Sequence, residues 1–96
     1  MTTIFIGSDH AGFEFKNYLI NKLLKYKIID CGTNSDNSCD YSDIANIVSE
    51  KVSNDNTSFG ILICGTGIGM SIAANKYSKN IRCALCYNKF MAEMAR

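Results

Sequence analysis

The sequence has one histidine, no proline and no long run of apolar or basic residues. With His10 as the single histidine, a His-rich metal site is excluded within this chain. No stretch approaches the roughly 20 apolar residues that a membrane-spanning helix needs. Charges are scattered and the formal net charge is +1, which argues against nucleic acid or an anionic membrane as the main partner.

The N-terminus also lacks the pattern of a secretory signal. Residues 1–10 contain no basic region followed by a long apolar stretch, and they are typical of a first strand. The five cysteines are an odd number and have mostly apolar neighbours, so we expect reduced thiols in a cytoplasmic protein. The length of 96 residues predicts a single domain over residues 1–96.

Apolar periodicity predicts four strands that alternate with four helices. The predicted strands cover residues 3–7, 27–30, 59–64 and 81–86, and the predicted helices cover 13–25, 41–52, 70–77 and a last one that Asn88 caps. This order implies an α/β fold with a parallel sheet and helices on both faces, a three-layer α/β/α architecture. The continuous apolar run at 59–64 predicts a strand that is covered on both faces. In the first helix, Phe15, Leu19 and Leu23 share the apolar face, and Lys16 falls on the polar side.

Ligands of such sheets bind beyond the carboxyl ends of the strands. That rule places Asp9–His10, Tyr41, residues 64–69 and Tyr87–Asn88 along one edge. Asp9 and His10 can bind hydroxyls, a phosphate or a ring oxygen; the alternative is a helix cap at Asp9 beside a surface histidine. Tyr41 is a candidate for a substrate contact, and a capping or packing role is an equally good interpretation.

The turn Cys64-Gly65-Thr66-Gly67-Ile68-Gly69 lies between a predicted strand and a predicted helix. Its glycines allow a sharp turn and close approach of a ligand to the backbone N–H groups, and the helix N-terminus favours an anion. The sequence therefore predicts a cradle for a phosphate or a developing enolate, with a purely structural turn as the alternative. The spacing G-x-G-x-G differs from the dinucleotide fingerprint, and the Walker A pattern is absent.

Two cysteine patterns carry possible chemistry. Cys64 ends a strand at the cradle, where a thiolate is favoured and can act as a nucleophile or a general base; the alternative is an inert buried cysteine. Cys83 and Cys86 form a C-x-x-C, but on a strand these positions point to opposite faces. That geometry disfavours both a redox pair and a zinc site.

At these motifs the chain resembles the type B ribose-5-phosphate isomerases and the related galactose-6-phosphate isomerase subunits. The matching stretches cover nearly the whole chain, in the family's order: residues 7–13, 30–33, 40–41, 60–76 and 81–84. The resemblance implies a Rossmann-like fold and the interconversion of ribose 5-phosphate and ribulose 5-phosphate, a step of the pentose phosphate pathway. It implies a cis-enediolate intermediate and no metal or organic cofactor.

The resemblance also implies residue roles. Cys64 matches the catalytic base, and Thr66 with the backbone of Gly65, Gly67, Ile68 and Gly69 matches the anion hole. Asp9 and His10 match substrate-binding positions, and Tyr41 and Ser71 match pocket residues. The resemblance further implies a homodimer, or a dimer of dimers, with shared active sites.

The family continues for roughly another third of its length, with a ring-opening His-Asn pair and phosphate-binding arginines that this sequence does not contain. We therefore expect a C-terminally truncated domain that lacks the last strand and helix and that is inactive by itself. Three alternatives stay open: an isomerase of another aldose 6-phosphate such as galactose 6-phosphate, a non-catalytic phosphate- or nucleotide-binding module, and a thiol-redox or metal module.

Overall fold

The computed structural model describes residues 2–34 and 40–95. Within them the chain forms three strands, β1 (Thr3–Ser8), β2 (Lys27–Asp30) and β3 (Phe59–Ile63). Four α-helices follow the order of the chain: α1 (Phe13–Lys22), α2 (Tyr41–Ser53), α3 (Ile68–Tyr77) and α4 (Lys89–Ala95). A short 3₁₀ turn, His10–Gly12, joins β1 to α1. None of the described helices is long and apolar enough to cross a membrane.

The three strands form one parallel sheet in the order β2-β1-β3. This order confirms the predicted parallel α/β fold. The central place of β1 explains its burial: Ile4, Phe5 and Ile6 are all buried, since neighbours lie on both sides. Strand β3 was predicted to be covered on both faces, and this is wrong. Phe59 is 46% exposed because β3 is an outer strand of the described sheet.

The predicted fourth strand at 81–86 is also not formed. The segment keeps the burial alternation of a strand, with Ile81, Cys83 and Leu85 less exposed than the residues between them. However, the Asn75 side chain supplies the partners of Cys83, by accepting from its N–H at 2.9 Å and donating to its C=O at 2.9 Å. A side chain therefore occupies the backbone groups that a neighbouring strand would pair.

Helix α2 packs on the sheet and against α3. A Cβ at Gly7 of β1 would lie 2.6 Å from the Ile44 Cγ2 and 2.9 Å from the Val48 Cγ2, so the side chains of α2 pack directly on the β1 backbone. The buried apolar core joins the central strand to these two helices through Ala45, Val48, Met70 and Ala74.

Helix α1 differs from its prediction in three ways. It ends at Lys22 and not at Lys25, and its predicted apolar face is partly exposed, with Phe15 at 53%. The predicted polar side contains Lys16, which is 0% exposed. Helical periodicity treats lysine as a surface residue, but here an ion pair with Asp30 of β2 satisfies the buried ammonium.

Candidate functional site

The turn from Cys64 to Gly69 connects β3 to the N-terminus of α3. The Cys64 Sγ accepts a hydrogen bond from the Gly67 N–H at 3.0 Å, so the sulfur faces the backbone amides of the turn. The Thr66 Oγ1 accepts from the Ile68 N–H at 3.2 Å. Both side chains therefore cap donors that a helix N-terminus leaves unpaired. An N–H donor aimed at sulfur interacts more strongly with a thiolate than with a thiol.

Two glycines of this turn have structural reasons to be glycine. Gly67 adopts a φ of +80°, a left-handed conformation, and a Cβ there would lie 2.6 Å from Leu85. At Gly69 a Cβ would lie 2.7 Å from the ring of Tyr41. Tyr41 thus packs on the first turn of α3, which is one of its two predicted roles. The contact from Leu85 was not predicted, because it depends on how the 81–86 segment is placed.

The Asp9–His10 stretch lies beside the Cys64 turn. The Asp9 N–H donates to the Ile63 carbonyl at 3.1 Å, which joins the carboxyl ends of β1 and β3 as the sequence predicts. A Cβ at Gly65 would be 3.8 Å from the Ala11 Cβ, so the 3₁₀ turn contacts the start of the cradle. Asp9 is buried, and its Oδ1 accepts from the Gly12 N–H at 3.1 Å. The capping alternative for Asp9 is therefore present, and His10 is exposed.

Ser71 lies one turn into α3. Its N–H donates to the Gly67 carbonyl at 3.0 Å, and its hydroxyl donates to the Ile68 carbonyl at 2.9 Å. On the outer side, an open cleft of about 310 Å³ runs between α2 and α3. It contacts the cradle through Gly69, and its lining includes Tyr41, Ser42, Asn46, Ile72, Lys76 and Tyr77.

Four parts of the chain are predicted to meet at the carboxyl ends of the strands, and the structure brings three of them together. Asp9, Tyr41 and the Cys64 turn are joined by the contacts above. The fourth part, Tyr87–Asn88, has a structural function: the Asn88 Oδ1 accepts from the Met91 N–H at 2.9 Å, which confirms the predicted cap of the last helix. The chemical roles of the site residues stay predictions.

The described cysteines form no disulfide with one another. Cys31, Cys64, Cys83 and Cys86 are free, and no described group of histidine, cysteine and acidic residues could hold a metal; Cys39 lies outside the described residues. Burial is the main cause that raises the pKa of the Cys31 thiol. Burial, followed by the nearby Cys86, raises the pKa of the Cys83 thiol, which disfavours the reactive thiolate there.

The chain is similar to several known proteins. A family model described as Ribose/Galactose Isomerase matches residues 4–96. Ribose-5-phosphate isomerase B of Escherichia coli is 40% identical over 98 residues, covering 100% of this chain and 65% of that protein. A Rickettsia conorii protein provisionally named a sugar phosphate isomerase is 50% identical over 95 residues, covering 97% of this chain and 65% of that protein.

Solved structures show the same similarity. Ribose-5-phosphate isomerase B of Clostridium thermocellum superposes with a TM-score of 0.94 at 46% identity, and covers 99% of this chain and 65% of that one. The Thermotoga maritima ribose 5-phosphate isomerase gives a TM-score of 0.94 at 47% identity, and the match covers 99% of this chain and 66% of that one. The chain thus spans about 65% of the length of these relatives.

Proposed function

The chain belongs to the Ribose/Galactose Isomerase family, and from this premise we propose that it carries the proton-transfer half of a sugar-phosphate isomerase site. The reaction is the interconversion of ribose 5-phosphate and ribulose 5-phosphate. The single observation that supports it best is the Cys64 sulfur, 3.0 Å from the Gly67 N–H and facing the cradle amides. A sulfur buried away from those amides could not act on a ligand held by them.

In the proposed mechanism, the Cys64 thiolate is the general base. It removes the proton from C2 of the open-chain aldose. The electron pair of that C–H bond forms the C1=C2 double bond, and the π pair of the C1 carbonyl moves onto O1, which gives an enediolate. The proton on O2 moves to O1, and the thiol returns its proton to C1, which yields the ketose. A positioned base of this kind contributes a rate factor of about 10² to 10⁴.

The enediolate oxygen needs donors that are already in place when the charge develops. We assign this role to Thr66 and to the backbone N–H groups from Gly65 to Gly69. The Cys64 sulfur and the Thr66 hydroxyl oxygen accept hydrogen bonds from the N–H groups of Gly67 and Ile68. A bound oxyanion would replace these internal acceptors, so the cradle stays hydrogen-bonded in both states.

Asp9, His10, Tyr41 and Ser71 are proposed to bind the sugar. Asp9 uses its Oδ1 for the Gly12 cap, so Oδ2 is the atom proposed to accept from a substrate hydroxyl. The described residues contain one arginine, Arg82, which is exposed. Phosphate binding and ring opening are therefore assigned to residues outside this chain or to a partner subunit, in a homodimer with shared sites. The cytoplasmic location also stays a prediction.

The choice of ribose 5-phosphate follows the relatives, several of which are named ribose-5-phosphate isomerase B. The family name also includes galactose, and other relatives are named only for a sugar phosphate. The complete reading frame, assayed with ribose 5-phosphate and galactose 6-phosphate in parallel, distinguishes the two. We expect a higher kcat/KM with the pentose.

The test of the mechanism is Cys64→Ala in the protein expressed from its complete reading frame. We expect kcat for ribose 5-phosphate to fall by about 10²- to 10⁴-fold, because the base is lost. Calorimetry should show that the variant still binds the sugar phosphate, because the cradle amides and Asp9 are unchanged. The exposed Cys86→Ala is the matched control and should keep wild-type turnover.

Two outcomes would contradict the proposal. Wild-type turnover in Cys64→Ala would remove Cys64 from the chemistry. Binding of ribose 5-phosphate without any conversion by the wild type would favour the alternative of a phosphate-binding module.

A further inference from the structure

Lys16 is buried and charged, and the proposed mechanism does not use it. Its side chain is 0% exposed, and its Nζ donates to both carboxylate oxygens of Asp30, at 2.7 and 2.8 Å. A third bond runs from Nζ to the Thr33 carbonyl at 2.5 Å. The ammonium also lies 5.4 Å from the centre of the Phe13 ring. All three N–H donors of the lysine therefore have acceptors within the protein.

The acceptors of Lys16 belong to the last residue of β2, Asp30, and to the turn that follows it, at Thr33. Within this turn, the Asp30 Oδ1 also accepts from the Gly32 N–H at 2.9 Å. The same turn is bonded to the end of β1: Ser8 donates to the Gly32 carbonyl at 2.8 Å, and Thr33 donates to the Ser8 carbonyl at 2.9 Å. Lys16 thus ties helix α1 to a turn that already holds the backbone of Ser8.

The Asp9–Gly12 stretch lies between these two fixed points. Ser8 precedes it and is held by the 30–33 turn, and Lys16 follows it on the next turn of α1 and is held by the same turn. Asp9 and His10 therefore belong to a short closed loop of chain that starts and ends at one anchor. The stretch also contacts the β3 end through the Asp9–Ile63 hydrogen bond, and it contacts the start of the cradle where Ala11 lies beside Gly65.

We propose that Lys16 is a positioning residue, which holds Asp9 and His10 in their place opposite Cys64 through its ion pair with Asp30. Lys16 contacts neither the cradle nor any proposed substrate group, and it acts through the backbone that it anchors. The expected effect of Lys16 on catalysis rests on the proposed function. The expected effect of Lys16 on the placement of His10 does not depend on that function. A displacement of about 1 Å in a substrate-positioning group can cost about a hundredfold in rate.

The test removes both charges of the pair in Lys16→Met/Asp30→Asn. Removing both avoids leaving one buried charge unpaired, which is the usual reason that such variants unfold. The amide oxygen of the substituted asparagine can still accept from the Gly32 N–H, so the turn keeps that bond. The matched control is Lys22→Met, which changes an exposed lysine at the end of the same helix.

The first measurement does not require activity. Because His10 is the single histidine of the chain, its imidazole gives one Cε1–H signal in the NMR spectrum of the 96-residue protein. We expect this signal to shift and broaden in the double variant and to superpose on wild type in Lys22→Met. An unchanged His10 signal in the folded double variant would overturn the inference.

The second measurement is steady-state kinetics with the complete reading frame, at a temperature where circular dichroism shows all variants folded. We expect kcat/KM for ribose 5-phosphate to fall about ten- to a hundredfold in the double variant, with a larger change in KM than in kcat. Alkylation of Cys64 by iodoacetamide should keep its wild-type rate, since the sulfur does not depend on the anchor. Wild-type kcat/KM in the double variant would overturn the positioning role. An inactive wild type would refute the proposed function, and the His10 signal would then decide the inference alone.

Discussion

The backbone of Gly67 is the part of the site most sensitive to a single added carbon. Its φ of +80° is costly for any residue with a Cβ, and Leu85 occupies the space that a Cβ would need, at 2.6 Å. Gly65, two residues earlier, has an ordinary φ, and its Cβ would meet only Ala11 at 3.8 Å. The two glycines therefore allow a comparison within one turn.

We predict that Gly67→Ala lowers the free energy of unfolding by about 1–2 kcal/mol, because a left-handed residue with a Cβ is strained by that amount. Gly65→Ala should change it by less than about 0.5 kcal/mol, as a substitution without a clash or strain does. Urea unfolding followed by circular dichroism measures both. Equal destabilisation by the two variants would show that the turn does not keep this backbone conformation.

Single residues differed in how well the sequence predicted them. The Cys64 turn is recognisable because its glycines are close together in the sequence and its chemistry is local. Helical spacing places Lys16 on the polar side of α1. Its burial depends on Asp30, which lies 14 positions away on strand β2, and local spacing does not report that partner. Asp9 was given two interpretations, a cap and a binding group, and one carboxylate can serve both with its two oxygens.

Helix α2 begins directly after Asp40, which caps its N-terminus. The Asp40 Oδ1 accepts from the Ser42 N–H at 3.0 Å and from the Ser42 hydroxyl at 2.8 Å. The bond from the Ser42 hydroxyl, followed by that from its N–H, lowers the pKa of the Asp40 carboxyl. The folded state therefore binds this proton less tightly than the unfolded state. The ionised Asp40 carboxylate therefore stabilises the folded state above the pKa of the unfolded chain, near pH 4. This stabilisation is lost as the pH falls through the pKa of the folded state.

We predict that Asp40→Ala lowers the melting temperature at pH 7 more than Asp40→Asn does, because asparagine also accepts a capping bond. The difference between wild type and Asp40→Asn should shrink as the pH falls from 6 to about 2.5, since the carboxylate becomes protonated. Thermal unfolding across this range measures it. A constant difference would mean that the charge of Asp40 does not contribute to the cap.

The helices and strands were predicted best where their stability is local. The α2 cap and the apolar spacing of α2 are properties of neighbouring residues, and the helix forms as predicted. Residues 81–86 alternate between less and more exposed side chains, as a strand would. No strand pairs with them among the described residues, and the segment is held by the Asn75 side chain. Sequence patterns predict which backbone is extended, whereas pairing depends on what lies beside it.

At the scale of the whole molecule, the α2–α3 cleft is an apolar surface that is continuous with the site. Tyr41, Ile72 and Tyr77 line it and are 42%, 54% and 39% exposed. Gly69 belongs to both the cleft and the cradle. A second copy that supplies phosphate-binding groups to the proposed site would have to approach the cradle, and this cleft is the adjoining apolar surface. We therefore expect the cleft to be covered in the proposed homodimer.

We predict that Ile72→Lys weakens the dimer of the protein expressed from its complete reading frame by about tenfold or more, because a charge would be buried in an apolar contact. Leu24→Lys is the matched control: Leu24 is 78% exposed and lies outside the cleft. Sedimentation over a range of concentrations measures the dissociation constant, and turnover per chain should fall together with the dimer fraction if the sites are shared. A dimer of unchanged affinity in Ile72→Lys would place the interface elsewhere. A monomer with full turnover would instead show that one chain supplies every group of the site.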